Sequence, residues 1–244
     1  MKHFLLSILF IFCSLFSIAE SGKDTHIYTR PGFLKFTENK NQWQDNILYQ
    51  SDFWGGRLFL EKKCFTYVFY QPNMFELLHP HATKKDVATD PSQMVLKFQA
   101  VKINFLNADS AARASGNDTC ADYSNYFIGK DKSKWAAHVR SYHTIEYQNI
   151  YSNINLKVYS ETNNVKYDFI LNKDADVNLI QMQVNGADGL YLENHDLVIK
   201  TSVGDIVQQK PFAYQIIDGT VKKIACEFTL KNKVLGFKIQ QSYN

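Results

Sequence analysis

Apolar and polar residues alternate with a period of two along most of this chain, the spacing of a strand that buries one face. Residues 57–61 and 64–70 predict a hairpin that turns at Lys62-Lys63. Residues 95–106 predict one long strand. Leu96, Phe98 and Ala100 form one apolar series there, Val101, Ile103 and Phe105 a second, and the change of phase predicts a bulge at Ala100-Val101. Further strands are expected at 154–160, 165–171, 179–185, 190–193, 197–201, 206–209, 212–217, 222–230 and 234–239. Asn163-Asn164, Asn194-His195, Asp218-Gly219 and Asn232-Lys233 fall between them, where Asn, Asp or Gly tolerates the positive φ of a tight hairpin turn. No segment holds a helical period over three turns, and only short helices are expected, at 72–79 and around 132–137. Residues 78–92 carry two prolines and few apolar positions and read as a surface loop. The predicted class is all-β and antiparallel, one large or two small packed β-sandwiches, with a weak subdomain boundary in the non-periodic stretch 108–122.

The first residues follow a different rule. Lys2 precedes an almost wholly apolar run from Phe4 to Ile18, which closes on the small residues Ser17 and Ala19. That is the pattern of a secretory signal peptide over residues 1–19, and the run is shorter than the ~20 residues that span a bilayer. Cleavage after Ala19 would leave a linker at 20–35 and a β-rich module at 36–244, without a transmembrane segment. The expected location is secreted, periplasmic or at the cell surface.

Composition narrows the function classes. The formal net charge is +3 and no stretch concentrates Lys and Arg, so no nucleic-acid partner is predicted. The 14 Tyr and 18 Phe suit sheet faces. Once Cys13 leaves with the signal, Cys64, Cys120 and Cys226 remain, an odd number for an oxidising compartment. If one disulfide forms, Cys64 with Cys226 is favoured, because both fall in predicted strands and Cys120 falls in a polar loop. Three small apolar fillers are the other reading.

Candidate chemistry is sparse. Glu38, Asn39 and Trp43 form a polar-aromatic cluster. It either stacks Trp43 on a sugar face or fastens a turn, with Trp43 plugging the core. Asp131 is expected to cap a short helix that buries Trp135 against the sheet. Asp168, between Tyr167 and Phe169, is the first carboxylate to suspect of acid-base work, but no partner stands at a defined spacing. His79 and His81 lack further ligands for a metal, there is no serine elbow, and the sequence gives no argument for a Cys-His pairing. No catalytic residue, metal or cofactor is assigned.

Phe36-Thr37-Glu38-Asn39-Lys40-Asn41-Gln42-Trp43 opens a series of motifs that continues at 125–135, 147–156, 166–169, 186–190 and 209–211. In this order they resemble a domain of unknown function that heads secreted Bacteroidota proteins carrying SBBP-type β-propeller repeats or gliding-motility-associated C-terminal sorting domains. Asn41 stands where that family usually has Gly. The sequence ends at Asn244, about where the family's repeats begin, so a stand-alone version and a truncated member are both open. The resemblance implies an extracellular module and brings no activity with it. Asp109-Ser110-Ala111 is also similar to the O-glycosylation acceptor of exported proteins in that phylum, with Ser110 as the acceptor. The expected role is a non-enzymatic structural, adhesion or docking module whose partner is a protein or a surface glycan. The alternative is a carbohydrate-binding domain or a glycoside-active enzyme.

Overall fold

The computed structural model describes residues 8–11, 14–15, 34–72, 74, 95–161, 164–217 and 219–240. Its strands are β1 (Ile8–Ile11), β2 (Ser14–Leu15), β3 (Phe36–Glu38), β4 (Ile47–Phe53), β5 (Gly56–Glu61), β6 (Cys64–Tyr70) and β7 (Phe98–Phe105). They continue with β8 (Arg113–Tyr126), β9 (Ala136–Tyr151), β10 (Ile154–Glu161), β11 (Asn164–Leu171), β12 (Met182–Asn185), β13 (Gly189–Glu193) and β14 (Asp196–Lys200). The last are β15 (Ile206–Gln208), β16 (Phe212–Ile217), β17 (Thr220–Ile224), β18 (Cys226–Lys231) and β19 (Val234–Ile239). Every pairing among them is antiparallel, and the predicted all-β class holds.

Two sheets result. One runs β17-β16-β1-β11-β10-β9-β3-β4-β5-β6-β7-β12-β19-β18, with β8 paired to β9 beside the path, and the other runs β13-β14-β15-β2. The large sheet folds over on itself. Phe105 of β7 meets Phe169 of β11 edge to face at 6.3 Å, and Phe65 of β6 lies 6.3 Å from Tyr167, although these strands are far apart in the hydrogen-bonded order. Phe36, Leu58, Leu60, Ile145, Leu156 and Phe169 sit at zero exposure in the layer so enclosed. Burial of this apolar surface is the main term that holds the fold. Tyr147 is closed in with them, and its hydroxyl donates to the Glu61 carbonyl at 2.9 Å.

Several expectations change in detail. The bulge at Ala100-Val101 is absent, since β6 and β7 stay in unbroken register from Cys64↔Asn104 to Tyr70↔Phe98. The two apolar series face opposite sides: Val101, Ile103 and Phe105 point into the core, whereas Phe98 is 66% exposed. Residues 222–230 form two strands broken at Ala225, and a 3-10 turn at Val177–Leu179 precedes the short β12. Asn194-His195 and Asn232-Lys233 are tight turns with both residues at positive φ, as expected. Most of the anticipated polar boundary at 108–122 is strand β8. Its pairing with β9 leaves it largely solvated on both faces, so no alternation marks it. The short helix expected at 72–79, the loop at 78–92 and His79 and His81 fall mainly or wholly outside the described residues.

The Cys64–Cys226 pairing is corrected. All three described cysteines are free thiols, and β7, β12 and β19 separate β6 from β18. Four strand spacings of about 4.8 Å put the two roughly 19 Å apart across the sheet, against the ~7 Å limit between Cα atoms for a disulfide. Burial pushes the Cys64 thiol up to about 11 and the Cys226 thiol up to about 12, which makes both poor nucleophiles at neutral pH. Cys120 is a buried residue of β8, not a loop residue, with its Sγ 3.5 Å from His143 Nε2.

Candidate functional site

The two sequence motifs at 36–43 and 125–135 meet in space. The turn after β3 is built by Asn39, whose Oδ1 accepts from the Asn41 and Trp43 amides at 3.0 and 3.2 Å. Its Nδ2 donates to the carbonyls of Gln44 and Ile47 at 2.9 and 2.8 Å. Gln42 closes the same turn by donating to the Glu38 carbonyl and accepting from the Lys40 amide. Asn41 sits at φ 79, which gives a physical reason for glycine in its place elsewhere.

From this turn, contacts reach the long β8–β9 hairpin. Glu38 accepts from the Arg140 amide at 2.9 Å and from the Tyr142 hydroxyl at 3.3 Å, and ion-pairs with Lys40 at 3.2 Å. Lys40 Nζ donates to the His138 carbonyl, and Asn41 Nδ2 to the Ser133 carbonyl. Trp43 is half-buried and packs edge to face on Tyr126 at 5.7 Å. Glu38 and Asn39 are therefore spent on fastening. Trp43 belongs to this clasp rather than to the core, which corrects the plug expected for it.

The hairpin tip is shaped by Gly129 at φ 79 and by a 3-10 turn at Lys132–Lys134. Asp131 caps that turn as expected, accepting from the Ser133 amide at 3.0 Å and its hydroxyl at 2.7 Å. These two bonds hold its carboxyl below the ordinary range. Trp135 departs from expectation, being 39% exposed and not buried against the sheet. Its indole donates to the Gly129 carbonyl at 3.3 Å, Phe127 meets it edge to face at 5.7 Å, and Lys132 Nζ lies 5.7 Å over the ring. Phe127 is 57% and Ile128 77% exposed on the same tip, whose turn also carries Lys130, Lys132 and Lys134. The tip is a small apolar platform with Lys132 over its Trp135 ring, and the alternation pattern carried no sign of it because it lies in a turn.

Asp168 lies elsewhere, on β11, and is almost wholly buried. Burial pushes its carboxyl up to about 7, while the Tyr159 hydroxyl at 3.3 Å and the charges of Lys157 and Lys166 pull the other way. Ser110 is exposed in a turn held by the Asp109 carboxylate, which accepts from the Ala111 amide at 2.8 Å. Among the described residues no group of three His, Cys, Asp or Glu could hold a metal ion, and no helix is long and apolar enough to cross a membrane.

Neither a curated protein nor a solved structure matches this chain. A family model described as a domain of unknown function, DUF7948, matches residues 36–244, and the chain belongs to that family.

Proposed function

We propose that this chain is an exported, non-enzymatic docking module of the cell surface that grips a partner protein through the tip of the β8–β9 hairpin. The carrying observation is the exposure of Phe127, Ile128 and Trp135 together on the one turn of the β8–β9 hairpin, which also carries three lysines. Apolar side chains clustered at a tip gain by burial against a partner, and a lysine rim favours an acidic border around the partner's apolar patch. A sugar is a poorer fit, because Lys132 covers a face of Trp135 and its indole N–H is already bonded. Export is supported by Lys2, the apolar run to Ile18 and the small residues Ser17 and Ala19. The resemblance to modules heading propeller-repeat and gliding-motility-associated proteins supports the surface setting. Cleavage after Ala19 would also remove β1 and β2, and so free the facing edges of β11, β16 and β15.

Exported protein is expected to begin at Glu20 by mass spectrometry, and a chain still starting at Met1 would refute the export reading. The mature form should be retained by an envelope fraction of the producing cell. A Phe127→Ser, Ile128→Ser, Trp135→Ser variant should lose at least tenfold in retention. Each of these exposed positions should change stability by only about half a kcal/mol. Protease treatment of the envelopes should abolish retention and periodate should not. Equal retention of the variant, or loss with periodate alone, would overturn the docking site or its protein partner respectively.

A further inference from the structure

The large sheet is continuous at one point only because β1 lies between β11 and β16 and pairs with both. Ile8 and Leu9 stand opposite Leu171 and Ile170 of β11, and Ile8 to Ile11 stand opposite Gln215 to Phe212 of β16. Two strand spacings set β11 and β16 roughly 10 Å apart. On the same segment, Ser14 and Leu15 of β2 pair with Gln208 and Val207 of β15. Removing residues 1–19 therefore leaves a slot one strand wide, with unpaired backbone groups on both walls. Such edges pair with any extended chain that reaches them, and a slot offers two ladders where an ordinary edge offers one.

The walls define the strand that fits. Residues directly opposed across a ladder share a face, so Leu171, the place of Ile8 and Gln215 form one row. That row and the place of Phe10, opposite Ala213, lie on the core face, because Leu171 and Ala213 are 1% exposed and Gln215 6%. Ala213 brings only a methyl group to its row, which suits a large apolar neighbour. Gln215 sets the other requirement. Its Nε2 is buried and has no hydrogen-bond partner among the described residues, whereas Gln208 Nε2 donates to the Tyr167 hydroxyl at 2.7 Å. A buried donor without an acceptor costs free energy, which a strand with an acceptor side chain at the place of Ile8 would recover. The row of Ile170 and Tyr214 is half-buried and on the other face, so it constrains the strand less.

We propose that the mature protein accepts an extended segment of a partner polypeptide into this slot, antiparallel to β11 and β16. The segment is apolar at the place of Phe10 and carries Ser, Thr or Asn at the place of Ile8. The acceptor rests on the export reading above, since cleavage after Ala19 is what empties the slot. The new N-terminus of the chain is a poorer donor, because Glu20 to His26 include no Val, Ile, Leu, Met or Phe. Strand addition of this kind draws affinity from main-chain bonds and specificity from alternate side chains.

The probe is a synthetic peptide of residues 5–15 with Cys13→Ser and lysines added at its ends for solubility. Fluorescence anisotropy measures its binding to a chain that begins at Glu20 and to the uncleaved chain. The Glu20 chain should bind it, and the uncleaved chain, whose slot β1 fills, should bind about tenfold more weakly or not at all. Amide exchange at 170–171 and 212–215 should slow when the peptide binds. A peptide with Ile8→Asn should bind severalfold tighter, and Gln215→Leu in the protein should erase that difference. A Glu20 chain that folds only with the peptide present would support the slot equally. Equal binding of a scrambled peptide, or no slowing at those amides, would overturn the assignment. Amides already protected in the Glu20 chain alone would overturn it too, because the chain's own tail then fills the slot. Mass spectrometry separates the two readings. An exported chain still starting at Met1 removes export and the empty slot with it, whereas a Glu20 start without peptide binding removes the slot alone.

Discussion

Asp168→Asn is expected to stabilise the folded protein strongly at pH 8 and to change it little near pH 4. The folded state holds the Asp168 proton to about pH 7, whereas the free side chain releases it near 3.8. The folded state therefore binds more protons than the unfolded state between these values, and stability falls as pH rises through that window. The favourable contribution is complete below the lower value and gone above the upper one. At 1.36 kcal/mol per pH unit, the charge costs up to about 4 kcal/mol at pH 8. The neutral amide removes most of that cost and flattens the profile. Groups facing the carboxylate set the competing outcome. Lys157 lies directly opposite on β10, Tyr159 donates to it, Lys166 is two residues along β11, and Tyr214 on β16 feels its charge. Urea unfolding of both proteins from pH 4 to pH 8 measures the difference. A wild type as stable at pH 8 as at pH 4, with a destabilised Asn variant, would mean that the lysines keep Asp168 charged.

That buried carboxylate illustrates what a linear pattern conveys. Asp168 drew attention between two aromatic residues of a strand, but its environment depends on which strands flank β11, and alternation does not encode strand order. The β5–β6 hairpin was legible because both strands bury one face, with Lys62-Lys63 the only break. Strand β8 was not, because a hairpin arm solvated on both sides has no apolar face to repeat. For the same reason Trp135 was misplaced. An aromatic beside a capped turn reads as an anchor whether the turn lies on the sheet or projects from it. The clasp was legible in part, since fastening a turn was one of the two readings of Glu38 and Asn39, while their reach to Arg140 and Tyr142 needed the folded chain.

Gly186→Ala is expected to be among the most destabilising single-methyl additions in this protein, at about 2–5 kcal/mol. Two costs combine at this position. Gly186 has φ +85, and an alanine there carries the left-handed penalty of about 1–2 kcal/mol. Its added Cβ would also lie 2.2 Å from the Ala100 carbonyl oxygen. That atom is backbone of β7 and cannot rotate aside, so the strand must shift at an overpacking cost of about 1–3 kcal/mol. The shift would also disturb Gln99, which donates to the Gly186 carbonyl at 2.7 Å and to Asp188 at 3.2 Å while holding the 201–205 turn. Gly219 supplies the control, because it has φ +76 and nothing within 4 Å of the added carbon. Gly219→Ala should therefore cost only the left-handed term. Thermal and urea unfolding of the two variants isolate the packing term as their difference, expected at about 1–3 kcal/mol. Equal losses would mean that β7 yields to the methyl group without penalty.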